Sequence, residues 1–258
     1  MSGKPDDPEE QLAEGTLMSH LLELRSRLMK AVFAICAVFL VLMYWMNDVF
    51  EFVSKPLRDA LPEGSQMIVT DVAAPFLTPM KTAFFVAVFI AMPVVLFQIW
   101  QFVAPGLYKR EKRLAIPLLI SSIALFYAGI AFAYFIVFKV MFGFFARVTP
   151  GGVQMSPDIS AYLTFVLGIF LAFGVAFEVP IATVLLIWSG LVSVRTLKNV
   201  RPYVFLGAFV AGMLLAPDVL SMTLMAIPIY ALYEGGLLMA RFLLPEKMEA
   251  ETAPAPKS

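Results

Sequence analysis

Six long apolar segments, at approximately 28–46, 79–104, 114–145, 159–188, 203–216 and 219–240, constrain this 258-residue chain more than any other feature. A bilayer core is roughly 30 Å thick, so a spanning helix needs about 20 mostly apolar residues. With 60% hydrophobic residues, the chain carries more apolar surface than a water-soluble fold can hide. Charges, prolines and glycines gather between the segments, as loops require. Strands are excluded, because an open sheet edge in lipid leaves backbone groups unsatisfied and the alternating pattern of a membrane barrel is missing. The expected fold is all-α: a polytopic membrane protein with six transmembrane helices. Residues 16–242 form the membrane domain, between a flexible N-terminus at 1–15 and a disordered tail at 243–258.

Span 203–216 covers only about 21 Å at 1.5 Å per residue. The fifth and sixth spans are therefore expected as a short pair, joined by Ala216-Pro217-Asp218, that thins the bilayer around them.

Orientation follows from lysine and arginine, which collect in cytoplasmic loops. Lys4, Arg25, Arg27 and Lys30 lie on the amino-terminal flank. Lys109, Arg110, Lys112 and Arg113 fill the second loop, Arg195, Lys198 and Arg201 the fourth, and Arg241, Lys247 and Lys257 the tail. The first loop, about 47–78, instead carries Asp48, Glu51, Asp59, Glu63 and Asp71 against Lys55 and Arg58. Both termini are expected on the cytoplasmic side.

Several function classes lose their usual signatures. Cys36 and His20 stand alone in their kinds, so neither a disulfide framework nor a Cys/His zinc site can be assembled. Phosphate-binding, dinucleotide-binding, zinc-hydrolase and serine-elbow motifs are missing, so no cofactor and no enzyme activity is expected. The net charge is zero, with no basic domain to suggest nucleic acid. No internal repeat supports an inverted-repeat transporter. The acidic first residues do not resemble a cleaved signal peptide.

Four acids stand out. In His20-Leu21-Leu22-Glu23-Leu24-Arg25-Ser26-Arg27, an amphipathic lead-in to the first span, Glu23 and Arg27 have the i,i+4 spacing of a local ion pair. Alternatively, Glu23 is open at the membrane surface to a partner's guanidinium. Glu111 sits among four basic neighbours, either in a solvated charge run or as a second acceptor. Glu178 lies in the fourth span beside Pro180, where an ionisable group costs roughly 2.5–3.5 kcal/mol on insertion scales, so function competes with a carboxyl simply satisfied by its neighbours. Glu234, nearer the end of the sixth span, reads as an interface anchor. Gly168, Ala172 and Ala176 recur every four residues and permit close helix approach.

The stretches HLLELRSRL, SKPL, TDVAAPF, FVAPGLYKREKR, FGVAFEVP and RPYVFLGAFVAGMLLAPD, taken in order, resemble the TatC family of twin-arginine translocase subunits over nearly all of residues 16–242. The resemblance implies six helices in a cup-like arrangement and a cytoplasmic surface for signal peptides bearing paired arginines. It also implies single-span partners TatA and TatB, self-association within the bacterial inner membrane, and export of folded precursors driven by the protonmotive force. Carried over by position, it makes Glu23, Leu24, Arg25 and Glu111 the signal-peptide-binding residues and Glu178 the intramembrane acid. Pro56, Phe76, Phe102 and Asp218 become structural or assembly positions. Ala216 and Met222 depart from the family's polar pattern at the last hairpin, which bears on how partner helices dock. The alternative from the residues alone is a proton-coupled transporter of a small solute acting through Glu178.

Overall fold

The computed structural model describes residues 8–60, 67–103, 112–148, 156–215 and 219–243. Helix follows helix: α1 (Pro8–Tyr44), α2 (Met46–Ala60), α3 (Ala74–Val103), α4 (Lys112–Phe132), α5 (Phe138–Val148), α6 (Ile159–Ala176), α7 (Val179–Ser189), α8 (Val194–Asn199), α9 (Arg201–Leu215) and α10 (Val219–Leu243). Five stretches are long and apolar enough to cross a membrane, at Met18–Tyr44, Ala74–Phe102, Ile116–Met141, Ile159–Ser189 and Ser221–Leu243, and Arg201–Leu214 is a shorter apolar helix. This is the multi-pass all-helical fold that apolar run length demands.

Three boundaries differ from the sequence reading, each for a physical reason. The amphipathic lead-in and the first span are one helix, whose early turns fall within the segment read as flexible. The first loop contains α2, an amphipathic helix that hydropathy alone passes over; its Ser54 is fully buried, and α2 packs on α3. Of the last pair only the fifth is short: α9 has 15 residues, whereas the 25 of α10 reach about 37 Å at 1.5 Å per residue.

Neighbouring helices pair antiparallel, and aromatic contacts mark the registers. Phe39 meets Phe84 between α1 and α3, Phe89 meets Phe126 between α3 and α4, and Phe205 meets Tyr230 between α9 and α10. In lipid the hydrophobic effect does not draw helices together, so close backbone approach has to. The sequence pointed to Gly168, Ala172 and Ala176, and the structure shows close approaches at other glycines. A Cβ on Gly129 would stand 2.4 Å from the Phe173 carbonyl oxygen, one on Gly174 would strike the Phe126 ring, and one on Gly212 would lie 2.8 Å from the Met222 carbonyl oxygen.

Proline is tolerated inside these helices where another donor reaches the carbonyl it frees. Pro93 cannot donate to Phe89 four residues earlier, and the Tyr127 hydroxyl on α4 donates there instead at 2.9 Å. The third span is also interrupted, by a π-helical turn at Ala133–Val137, before α5 begins.

At the membrane end away from the basic loops, the first and third loops are tied together. Ile68 N–H donates to the Pro157 carbonyl and Ile159 N–H to the Ile68 carbonyl, an isolated parallel bridge at 3.2 and 3.1 Å. Asp158 completes the tie by capping α6 through Ala161 N–H and accepting both the Thr70 N–H and hydroxyl, at 2.8, 2.9 and 2.7 Å. The Ala161 amide, and after it the Thr70 donors, hold the exposed Asp158 carboxyl down at about 2. In TDVAAPF, Asp71 turns the chain into α3 by accepting Ala73 N–H at 3.0 Å.

Candidate functional site

The first site lies where the membrane-entry end of α1 packs against the last turn of α3. His20 stacks on Phe102 with ring centroids 4.4 Å apart. Further along α1, Arg27 Nε and Nη2 both donate to Glu23 Oε1, at 2.9 and 2.5 Å, so the local ion pair forms. Its second feature was not legible in the sequence: Arg27 Nη1 also donates to Gln101 Oε1 of α3 at 2.5 Å. The Glu23 side chain is about a third exposed, and its Oε2 takes no hydrogen bond from any described residue. The result is a surface carboxylate gripped on one oxygen and open on the other.

Leu24 and Arg25 are exposed on the same helix. At about 100° per residue Arg25 lies far round the cylinder from Glu23, so the two do not share one surface. Glu111 lies outside the described residues, in the segment that continues from α3 beyond Phe102 and Val103. Ala216 and Asp218 also lie outside them. Pro56 falls within α2, and Phe76 projects from the first turn of α3, 57% exposed. Met222 lies at the close approach of α9 and α10 opposite Gly212.

The second site is inside the fourth span. The helix breaks at Phe177 and Glu178, and α7 starts with Pro180 in its first turn. Fully buried Ser122 of α4 donates its hydroxyl to Glu178 Oε2, while Oε1 is buried with no partner among the described residues. The close α4–α6 contact at Gly129 and Gly174 is what brings Ser122 there. Sequence reading found the acid but not the serine, since a lone hydroxyl in an apolar run carries no periodic signal.

A third polar group joins α9 to α10: Arg201 Nη2 donates to Glu234 Oε2 at 2.7 Å, and the Tyr230 hydroxyl to Glu234 Oε1 at 3.0 Å. Glu234 is thus an intramolecular strut as well as a residue near the end of its span.

Together these features define a multi-pass helical membrane protein with a partly exposed carboxylate where α1 meets α3 and a second acid at a break in a span. Residues 19–228 match the family model "TatC: Sec-independent protein translocase protein (TatC)". The chain belongs to the TatC family of protein translocase subunits. It is 54% identical over 257 residues to the Sec-independent protein translocase protein TatC of Azotobacter chroococcum mcd 1, covering 99% of each chain. It is 55% identical over 227 residues to that of Escherichia coli strain K12, covering 88% of each. Its structure superposes with a TM-score of 0.80 on one described as "Crystal Structure of Twin Arginine Translocase Receptor- TatC", at 36% identity over 86% of this chain and 98% of that one. The small-solute transporter reading finds no support in these relatives.

Proposed function

We propose that this translocase subunit is the receptor for signal peptides bearing paired arginines, and that Glu23 is an acid on which one of those arginines lands. The observation that carries the reading is the half-open Glu23 carboxylate. One oxygen holds Arg27 where α1 meets the last turn of α3, and the other takes no hydrogen bond from a described residue. A guanidinium supplies the planar donor pair that a carboxylate oxygen accepts, and charge-assisted bonds of this type are about twice as strong as neutral ones. Glu111 is the second acceptor, and Leu24 and Arg25, exposed on other faces of α1, complete the proposed contact set. The apolar part of the signal peptide lies along the helices, held by burial.

The distribution of lysine and arginine supports both termini in the cytoplasm, and the bacterial relatives support a place in the inner membrane. The partners are the single-span subunits TatA and TatB, further copies of this chain, and membrane lipid. Export of folded cargo is powered by the protonmotive force, Pro56, Phe76, Phe102 and Asp218 serve the scaffold or its assembly, and no enzymatic step is involved. The test is crosslinking from position 23 or 111 to a twin-arginine precursor in membranes, beside binding of twin-arginine and twin-lysine peptides. Glu23→Gln and Glu111→Gln should each lose the twin-arginine peptide while barely altering the twin-lysine one. Equal binding of both peptides by parent and variants would sink the reading.

A further inference from the structure

We infer that Arg27, anchored by Gln101, is the positioning residue that presents Glu23 to an incoming guanidinium. The inference rests on the proposal that Glu23 receives a cargo arginine, and it explains how an acid already paired to an arginine of its own can do so.

A carboxylate oxygen has two lone-pair sites. Arg27 takes both of those on Oε1, through Nε at 2.9 Å and Nη2 at 2.5 Å, and both on Oε2 are open among the described residues. An arginine competing for the acid would close it most tightly by straddling the two oxygens in the usual fork-to-fork geometry. Arg27 does not straddle them, and its remaining Nη1 donates to Gln101 Oε1 on a different helix, at 2.5 Å. The guanidinium is therefore fixed from two helices. Its side chain is 19% exposed against 36% for Glu23, so the arginine is the inner member of the pair and the acid the outer one. The stack of His20 on Phe102 holds the same two helix ends together.

Two consequences follow for recognition. A free glutamate loses rotamer freedom when it captures a cation, whereas Glu23 has already lost it in folding. The open oxygen also presents two lone pairs in a fixed plane, which suits the rigid donor fork of arginine and gives the compact ammonium of lysine no comparable match. Arg27 thus trades some charge repulsion toward the cargo for orientation and selectivity.

The test uses the full chain in lipid nanodiscs and fluorescent twin-arginine and twin-lysine peptides. Arg27→Gln and Gln101→Leu should each weaken twin-arginine binding about tenfold, the equivalent of one charge-assisted contact, and lower the preference for arginine over lysine. Gln101→Glu keeps an acceptor for Nη1 and should retain that preference, which a merely structural role for Gln101 would not require. Tighter twin-arginine binding by Arg27→Gln would overturn the inference and make Arg27 a competitor. Unchanged binding by Arg27→Gln and Gln101→Leu, with Glu23→Gln still losing the peptide, would overturn it while leaving Glu23 as the landing site. No effect of Glu23→Gln would remove the receptor acid itself, and this inference with it.

Discussion

The Tyr127 hydroxyl donates to the Phe89 carbonyl at 2.9 Å, across the α3–α4 contact, at the carbonyl that Pro93 leaves without its helical donor. An aromatic side chain on one span thereby completes the backbone hydrogen bonding of another. Tyr127→Phe should cost about 1–3 kcal/mol, the penalty for leaving such a group unmade. Thermal unfolding in detergent measures the loss. Adding Pro93→Ala returns an N–H to Phe89, so the double variant should recover most of it; a purely additive double-mutant cycle would contradict the assignment.

Gly129 lies where α4 presses on the backbone of α6. A Cβ there meets the Phe173 carbonyl oxygen at 2.4 Å and the Gly174 Cα at 3.0 Å, and neither atom can swing away. Gly129→Ala should destabilise the bundle by about 1–3 kcal/mol through forced separation of the two helices. Gly143 in α5 meets nothing within 4 Å, so Gly143→Ala should gain up to about 1 kcal/mol from helix propensity. Melting temperatures that move in the same direction for both would contradict this.

The Asp158 clip sets an acid limit on the tie between the first and third loops. Because the folded carboxyl titrates at about 2, below its ordinary 3.8, the clip contributes stability that is complete above about pH 4 and lost as the pH falls toward 2. Hydrogen exchange at the Thr70 amide, corrected for its intrinsic rate, should show protection that is flat from neutral pH down to about 4 and then declines. Asp158→Asn points an amide at the Thr70 donors and should abolish both the protection and its pH dependence. Persistent protection in that variant would assign the tie to the Ile68 bridge alone.

Ser122 and Glu178 form a two-residue polar site inside the bundle. Ser122→Ala strands the Glu178 carboxyl with neither oxygen bonded by a described residue and should cost about 1–3 kcal/mol. Removing both polar groups, as Ser122→Ala with Glu178→Leu, should cost less than the single change, because no unpaired group then remains buried. Chemical or thermal unfolding of the purified variants reads the order directly, and a double variant less stable than Ser122→Ala would refute it.

Much of this was written in the chain. Apolar run length alone selects a multi-pass helical fold, because the thickness of a bilayer and the demand that every backbone group be bonded leave few other solutions. The 14-residue run at 203–216 announced a short fifth helix, and Glu178 was visible as a charge in an apolar run beside a proline. The Glu23–Arg27 pair followed from four-residue spacing, since i,i+4 neighbours on a helix meet whatever the rest of the fold does.

What spacing could not supply was any contact between helices. Gln101 under Arg27, Ser122 under Glu178, Tyr127 on the carbonyl freed by Pro93, and Thr70 on Asp158 join residues 74, 56, 38 and 88 positions apart. Local periodicity states which face of a helix a residue occupies, but not which other helix covers that face. That depends on the register and depth at which small residues such as Gly129 and Gly174 let two backbones meet. The sequence by itself therefore determined that the elements are helices and where the apolar spans run. The tertiary structure decided which polar groups are spent on one another and which, like Glu23 Oε2, take no hydrogen bond from a described residue.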